Sequence, residues 1–411
     1  MKPRTWCGIA ALALASCPIG CDEPGLPSDG RTVADSAGVE IVTVRMAGEG
    51  AQGLQRVHPD PDVEIGTVAG LPEYELSSVL GAVSLPGGGV AVANRGTNEV
   101  RYYDAEGMFV ASVGRSGEGP GEFRRISFMG LAGDTLLVYD QPLARVTLID
   151  GSREVMGTFR TPFPPFSYVS GVLQGPSSLI SWEFTGSEDQ NRGVYALPME
   201  ISVTTMADQQ TEVVAEGRSS EEGNVEYQGR VVRAFRPFGR KGDVAVGDGV
   251  IFVLSSDDDA TIRILGSDGR LIRILRVEVE PRRIQATDVE EWIESWMSHF
   301  SPASEEIEEW WRHGFGLLSP PVHLPTFRSL SVDTDGNLCA ERYPLLIGSA
   351  PLYWCFSIDG RLLRGIQLPP GVFREGPHPF WDSQIELGGD YVLGVWEDEL
   401  GVQYVRRLRL D

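Results

Sequence analysis

Five arginines are the first residues whose placement suggests chemistry. Arg124 and Arg125, Arg233 and Arg236, and Arg328 each stand near the start of a segment that reads as a β-strand. If those strands converge on one axis, the guanidinium groups gather at one mouth. Their planar forks would suit the carboxylate or phosphate of an anionic small molecule. Arg342 and Arg374 could approach the same place. The competing expectation is plain ion pairing, because Asp+Glu 58 outnumber Lys+Arg 35. Trp182 and Trp396 could give a stacking face to a sugar or ring, or simply fill the core.

Catalytic constellations are sparse. The five histidines, His58, His299, His313, His323 and His378, show no HxxxH or HExxH spacing. No Gly-x-Ser-x-Gly elbow exists, so a serine hydrolase has little support. A lactonase-like metal site would need inner-strand carboxylates, and Glu183, Asp382 and Glu386 are the ones to consider. The expectation is nevertheless no metal and no cofactor. The glycine-rich run Gly114 to Gly121 lacks a Walker lysine and leads through Phe123 into an apparent strand at Ile126-Ser127-Phe128. A phosphate loop would open onto a helix instead. The run therefore reads as a connection between sheets.

Cysteine usage speaks to compartment. Cys339 and Cys355 lie in strand-like segments, 338–344 and 352–358. An antiparallel pairing centred near residue 347 would set them face to face, as a disulfide in an oxidising compartment or as two small buried hydrophobes. Neither has CxxC spacing. Lys2 and Arg4 precede an apolar stretch over 6–16, which meets Cys17 at once. That is an export signal, too short to span a bilayer. Leu14-Ala15-Ser16-Cys17 also reads as a lipobox, with Cys21 the alternative lipidation site and Pro18 counting against it. Signal removal takes Lys2 and Arg4 with it and moves the formal charge from −23 to −25. Such acidity makes a nucleic-acid backbone an improbable partner and leaves the acyl chains to hold the membrane.

These residues need a scaffold, and the repeats supply its outline. Gly numbers 49 in 411 residues, well above the usual share of about 7%. Tight turns are therefore frequent. Tyr103-Asp104-Ala105-Glu106-Gly107, Leu148-Ile149-Asp150-Gly151, Ser267-Asp268-Gly269 and Ser357-Ile358-Asp359-Gly360 each end an apolar run and begin another, a hairpin signal. A second hairpin precedes several of them, so each unit is a four-stranded sheet. The interval from Gly107 to Gly151 matches one propeller blade, and the longer intervals to Gly269 and Gly360 fit two blades and one blade plus an insertion. Strands near 385–387, 391–396 and 402–410 form a last blade that is one strand short, and the segment 63–68 can complete it.

The segments 85–89, 90–94 and 103–107, followed by Gly114-Arg115-Ser116-Gly117-Glu118-Gly119-Pro120-Gly121-Glu122-Phe123, resemble an NHL-type propeller repeat. Residues 36–411 as a whole resemble a family of exported bacterial six-bladed β-propeller proteins of the NHL/TolB-like lipoprotein kind. Asp35-Ser36-Ala37-Gly38-Val39-Glu40, Leu324-Pro325-Thr326-Phe327 and Tyr391-Val392-Leu393-Gly394-Val395-Trp396-Glu397 carry that likeness. The family has no settled activity. Leu338-Cys339-Ala340 departs from it, where a Trp and a β-branched residue are usual.

The insertion reads as helical. Thr287 and Glu290 fit a capping box, and Val289, Trp292, Ile293, Trp296 and Phe300 share one face. Ser301-Pro302 would start a second helix carrying Ile307, Trp310 and Trp311, with Gly314 as its stop. This hairpin packs on the ring, or acts as a lid or docking element.

The resulting expectation is all-β: a six-bladed β-propeller over 61–411 with a helical hairpin, about 285–315, between blades four and five. Residues 1–16 are a signal peptide, and 17–60 a lipid-anchored segment and linker. The function expected is non-catalytic binding or scaffolding at the bacterial cell envelope, for an anionic small molecule or a partner protein. A metal-dependent propeller enzyme, a lactonase-like hydrolase or a lyase, is the alternative.

Overall fold

The computed structural model describes residues 30–46, 54–162, 167–173, 178–185, 193–258, 260–300, 302–372 and 384–411. The signal peptide and both lipidation candidates, Cys17 and Cys21, lie outside these residues, as do Arg374, His378 and Asp382. The architecture is all-β and propeller-like, with two helices.

Alternating apolar residues and glycine turns produce consecutive antiparallel hairpins. The first sheet is Val79–Ser84, Val90–Asn94, Glu99–Tyr103 and Phe109–Val113. The second is Ile126–Ala132, Thr135–Asp140, Arg145–Ile149 and Val155–Arg160. Tyr168–Leu173, Ser178–Phe184, Pro198–Thr205 and Thr211–Arg218 form the third. The fourth begins with Asp243–Val246, Val250–Leu254, Thr261–Gly266 and Leu271–Glu278. The fifth begins with Phe327–Val332, Leu338–Arg342, Leu352–Phe356 and Leu362–Gln367. Glu386–Leu387, Tyr391–Glu397 and Gln403–Arg409 make the sixth, and Val63–Ile65 pairs antiparallel with Gln403–Arg409 as its outer strand.

Each sheet's innermost strand packs on the next, from the first sheet through the fifth. Backbone bridges Asp333↔Leu387 and Gly81↔Gln384 then tie the sixth sheet to its two neighbours. A Cβ at Gly81 would stand 2.7 Å from that of Gln384, so glycine is needed for this approach. Six buried apolar clusters fill the spaces between successive sheets, one of them joining the sixth sheet to the first.

The stretch assigned to a linker is partly strand. Arg31–Ser36 and Val39–Arg45 extend the fourth sheet at its outer edge, with Val39–Arg45 parallel to Leu271–Glu278. Leu54–Arg56 extends the fifth in the same way. Val42 and Val44 are buried between the fourth and fifth sheets. Burial of these valines and completion of an edge ladder make strands of this part of the stretch.

A second correction concerns the region before the fourth sheet. Gly193–Tyr195, Glu222–Tyr227 and Arg230–Phe235 form a separate three-stranded sheet. It packs against helix α2 (Glu305–Leu317), while helix α1 (Ala286–Phe300) precedes α2 in the excursion between the fourth and fifth sheets. The helix ends also differ from the motif reading. Asp288, not Glu290, reaches back to accept from the Gln285 N–H at 2.8 Å, so the box sits two residues earlier. The Ser304 side chain caps α2 by accepting from Ile307 N at 3.3 Å. Gly314 does not end α2. It lies buried inside the helix, where a Cβ would come within 2.8 Å of Ala234 Cβ.

Candidate functional site

A cavity of about 370 Å³ opens between the starts of the inner strands and the face of α1. Its size lies at the lower end for small-molecule sites. The third sheet contributes Trp182 and Phe184, the fourth Asp243, and the fifth Arg328, Ser329 and Ser331. Helix α1 supplies the apolar side with Trp292, Trp296 and Phe300, to which the added sheet brings Phe235. These positions follow from the helical spacing of α1, which puts Trp292, Trp296 and Phe300 on one stripe. The stripe is folded into an aromatic core with Phe238, Phe315 and Tyr343. Trp182 is held by a stack on Tyr168, 4.6 Å between centroids, and by donation from Nε1 to Ser170 Oγ at 2.9 Å. Burial raises the Tyr168 phenol above its ordinary range, against the pull of Arg233 and Arg125.

The expected arginine set divides. Arg236 and Arg328 line the cavity, joined by Lys241. Arg236 Nη1 meets Glu221 Oε2 at 2.6 Å, and Arg240 Nη2 meets Glu221 Oε1 at 2.8 Å. Burial pushes the Glu221 carboxyl upward, but hydrogen bonds and charge from Arg240 and Arg236 outweigh it and hold the group below its usual range. Arg328 Nη1 lies 3.3 Å from Glu341, whose Oε2 also accepts from Ser329 Oγ at 2.6 Å. Asp243 Oδ2 accepts from Leu330 N at 2.7 Å, which fastens the fourth inner strand to the fifth.

Arg233, Arg124 and Arg125 are not on the cavity wall. Arg233 is paired with Glu222 inside the added sheet. Arg124 is exposed and 3.4 Å from Glu118. The backbone amides of Arg124 and Arg125 donate to Asp140 Oδ2 at 2.6 and 3.2 Å. Burial raises the Asp140 carboxyl despite those donors. Arg125 is close enough to Arg95 that its charge, after burial, helps bring that guanidinium down to about 10. Arg342 is occupied elsewhere, stacked over Trp354 at 4.3 Å. The carboxylates that set these roles, Glu221, Asp243 and Glu341, were missed because carboxylates are abundant. Their one signal is the Glu221-Glu222 pair facing Arg233 and Arg236 across a hairpin.

Of the metal candidates, Asp382 lies outside the described residues, and Glu183 and Glu386 are each held by a hydroxyl. Ser167 Oγ donates to Glu183 Oε2 at 3.3 Å, and Tyr391 OH donates to Glu386 Oε1 at 2.6 Å. Neither residue is on the cavity wall. Among the described residues, one grouping of ligand-type atoms occurs: Asp333, Cys339 and Cys355. Cys339 and Cys355 are register partners joined as a disulfide, and Asp333 Oδ2 is bound by Arg364 at 3.1 Å. That donor set is consumed by structure.

The run Gly114 to Gly121 connects the first and second sheets. Glu122 folds back over it, accepting from Gly119 N and Arg115 Nε at 2.8 Å each. The Gly119 bond, with Arg115, holds that carboxyl below its ordinary range. At Gly117 a Cβ would stand 2.1 Å from Glu122 Oε2, so this glycine makes room for a side chain of the loop itself.

No helix among the described residues is long and apolar enough to cross a membrane. No protein-family model matches the chain, and no curated protein matches it. Similar solved structures include a Bacteroides fragilis protein described as exported, at 12% identity and TM-score 0.46, covering 90% of this chain and 99% of that one. A DUF4221 member from Bacteroides vulgatus overlaps at 9% identity and TM-score 0.49, covering 88% and 99%. Virginiamycin B lyase from Staphylococcus aureus overlaps at 9% identity and TM-score 0.37, covering 83% and 97%. These overlaps are long but loose, and no residue role is transferred from them.

Proposed function

We propose that this chain is an exported six-bladed β-propeller, of the NHL/TolB-like kind, that binds a small molecule in the cavity beneath its helical hairpin without transforming it. The six sheets are its blades, and α1 with α2 is the insertion between blades four and five. The observation that carries the reading is the cavity itself, with an aromatic side, a polar side and charged groups already matched to partners. Such a site offers complementarity to a ligand. Among the described residues, its wall carboxylates Glu221 and Asp243 are engaged by Arg236 and Arg240 and by the Leu330 amide, and no histidine lines it. An anionic ligand, suggested by the arginines, would have to compete with Glu221 and Glu341 for Arg236 and Arg328.

Attachment to the envelope through a diacylated Cys17, with Cys21 as the alternative, belongs to the same proposal. So does the disulfide, which suits an oxidising compartment. Cys17→Ala should release the protein from membranes; retention would point to Cys21 or another attachment, and retention of the Cys17→Ala/Cys21→Ala double variant would overturn the lipid anchor.

A thermal-shift screen of the mature chain against a broad metabolite library tests the binding reading. The expected result is a stabilising ligand that is recovered chemically unchanged after prolonged incubation. Loss of its effect in Trp182→Phe, with the unliganded melting curve preserved, would locate it in the cavity. A library without a single stabiliser, or a hit converted to product, would overturn the reading. Conversion dependent on a divalent ion would favour the hydrolase or lyase.

A further inference from the structure

The charge balance around the cavity narrows its ligand. Arg236, Lys241 and Arg328 stand on the wall with Glu221 and Asp243, and Glu341 lies directly behind Arg328. Both guanidinium groups are within hydrogen-bond reach of a carboxylate. Wall cations are therefore offset locally, and the attraction for a free anion is correspondingly weak. What such pairs still present is a mixture of N–H donors and carboxylate acceptors, to which Ser170, Ser219, Ser220, Ser329 and Ser331 add hydroxyls. A ligand group that both donates and accepts suits that mixture, and a hydroxyl is such a group.

Aromatic side chains make up much of the rest of the wall. Trp182 and Phe184 meet edge to face, 5.3 Å apart with 72° between their planes, and Trp292, Trp296 and Phe300 run along α1. The indole N–H groups of Trp292 and Trp296 are buried and have no acceptor among the described residues. Those N–H groups are closed off from the cavity, so the indoles offer it ring surface rather than donors. A flat apolar face beside a rim of hydroxyl oxygens satisfies both walls at once.

We infer that the cavity takes a neutral, hydroxyl-rich ring of the saccharide class, with its apolar face on the aromatic side and its hydroxyls toward Arg236, Arg328 and the serines. This rests on the binding reading above and specifies its ligand. Calorimetry on the mature chain with two size-matched sets tests it: glucose, galactose, N-acetylglucosamine and cellobiose against glucuronate, gluconate and glucose 6-phosphate. At least one neutral sugar should bind, with affinity nearly unchanged between about 50 and 500 mM salt, because no net charge is neutralised. Ser331→Ala should weaken it about fivefold, the loss of one neutral hydrogen bond, while the unliganded melting curve stays put. Trp182→Phe, which keeps a ring on Tyr168, should weaken it as well. Tighter binding of the anionic set, with steep salt dependence, would overturn the saccharide assignment and leave the binding reading standing. The same holds if neither set binds while the metabolite screen yields another stabiliser. Silence in both experiments would overturn the two together.

Discussion

The ring and its cap are built on different principles. Between the sheets the core is mainly aliphatic, repeated from one interface to the next, and stitched by backbone ladders. The cap gathers Phe238, Trp292, Trp296, Met297, Phe315 and Tyr343 from four segments, with little backbone pairing between them. Damage to a repeated interface must propagate, because every sheet leans on two others. Damage to the cap can stay local, because it is attached by side chains. The lesson is that the ring supplies rigidity and the cap supplies a shaped aromatic surface. The cavity lies where the two meet.

Matched substitutions should expose this difference most strongly. Trp354→Ala, at a fully buried site between the fourth and fifth sheets, should cost about 3–5 kcal/mol of global stability in denaturant unfolding. Trp296→Ala removes a side chain of equal size from the cap, yet should chiefly admit protease within 286–317 while the ring's transition moves little. Equal losses in both would break the distinction.

Next in size is the disulfide. Its 16-residue separation corresponds to about 3 kcal/mol of denatured-state constraint. Cys339→Ser with Cys355→Ser should lower the ring's unfolding midpoint accordingly and leave ligand affinity untouched. A change in affinity without a change in stability would assign the pair to the site instead.

A smaller effect is expected at the join of α2 and the added sheet. Gly314→Ala would ordinarily gain helix propensity of up to about 1 kcal/mol. Here the new methyl meets Ala234, and overpacking should instead cost about 1–3 kcal/mol, read as faster amide exchange in α2. Slower exchange would show that the contact is slack.

The gentlest prediction concerns acid. Glu221 joins the added sheet to Arg236 and Arg240, and its carboxyl titrates below the ordinary value in the folded chain. A depressed carboxyl contributes stability above its unfolded value, about 4.3, and loses it as pH falls through the folded value. Tryptophan near-ultraviolet dichroism, which reports the cap, should therefore fade before the ring unfolds on acidification. Glu221→Gln should show weakened cap signals already at neutral pH.

Much of this was legible beforehand, for physical reasons. Asp-Gly turns and period-two apolar runs act over a few residues, so hairpins such as Leu338–Arg342 with Leu352–Phe356 could be placed, and with them the facing of Cys339 and Cys355. Local signals failed where partners are remote. Val39–Arg45 looked like linker because its mate, Leu271–Glu278, lies far along the chain. Gly314 looked like a stop because its packing neighbour Ala234 is invisible to helix rules. Ion pairing was the competing expectation for the arginines, and Glu222, Glu221 and Glu341 lie only 11, 15 and 13 residues from Arg233, Arg236 and Arg328, but strand register decides which of the many carboxylates each one meets.

Period, turn chemistry and the leading apolar stretch, all short-range properties of covalent order, by themselves determined the β-rich repeat, the helical excursion and the expectation of export. Tertiary structure alone decided where the aromatic stripe of α1 comes to rest, and that it and the inner strands enclose one cavity. Those outcomes depend on distances between segments up to a hundred or more residues apart, and only the closed packing of sheets sets such distances.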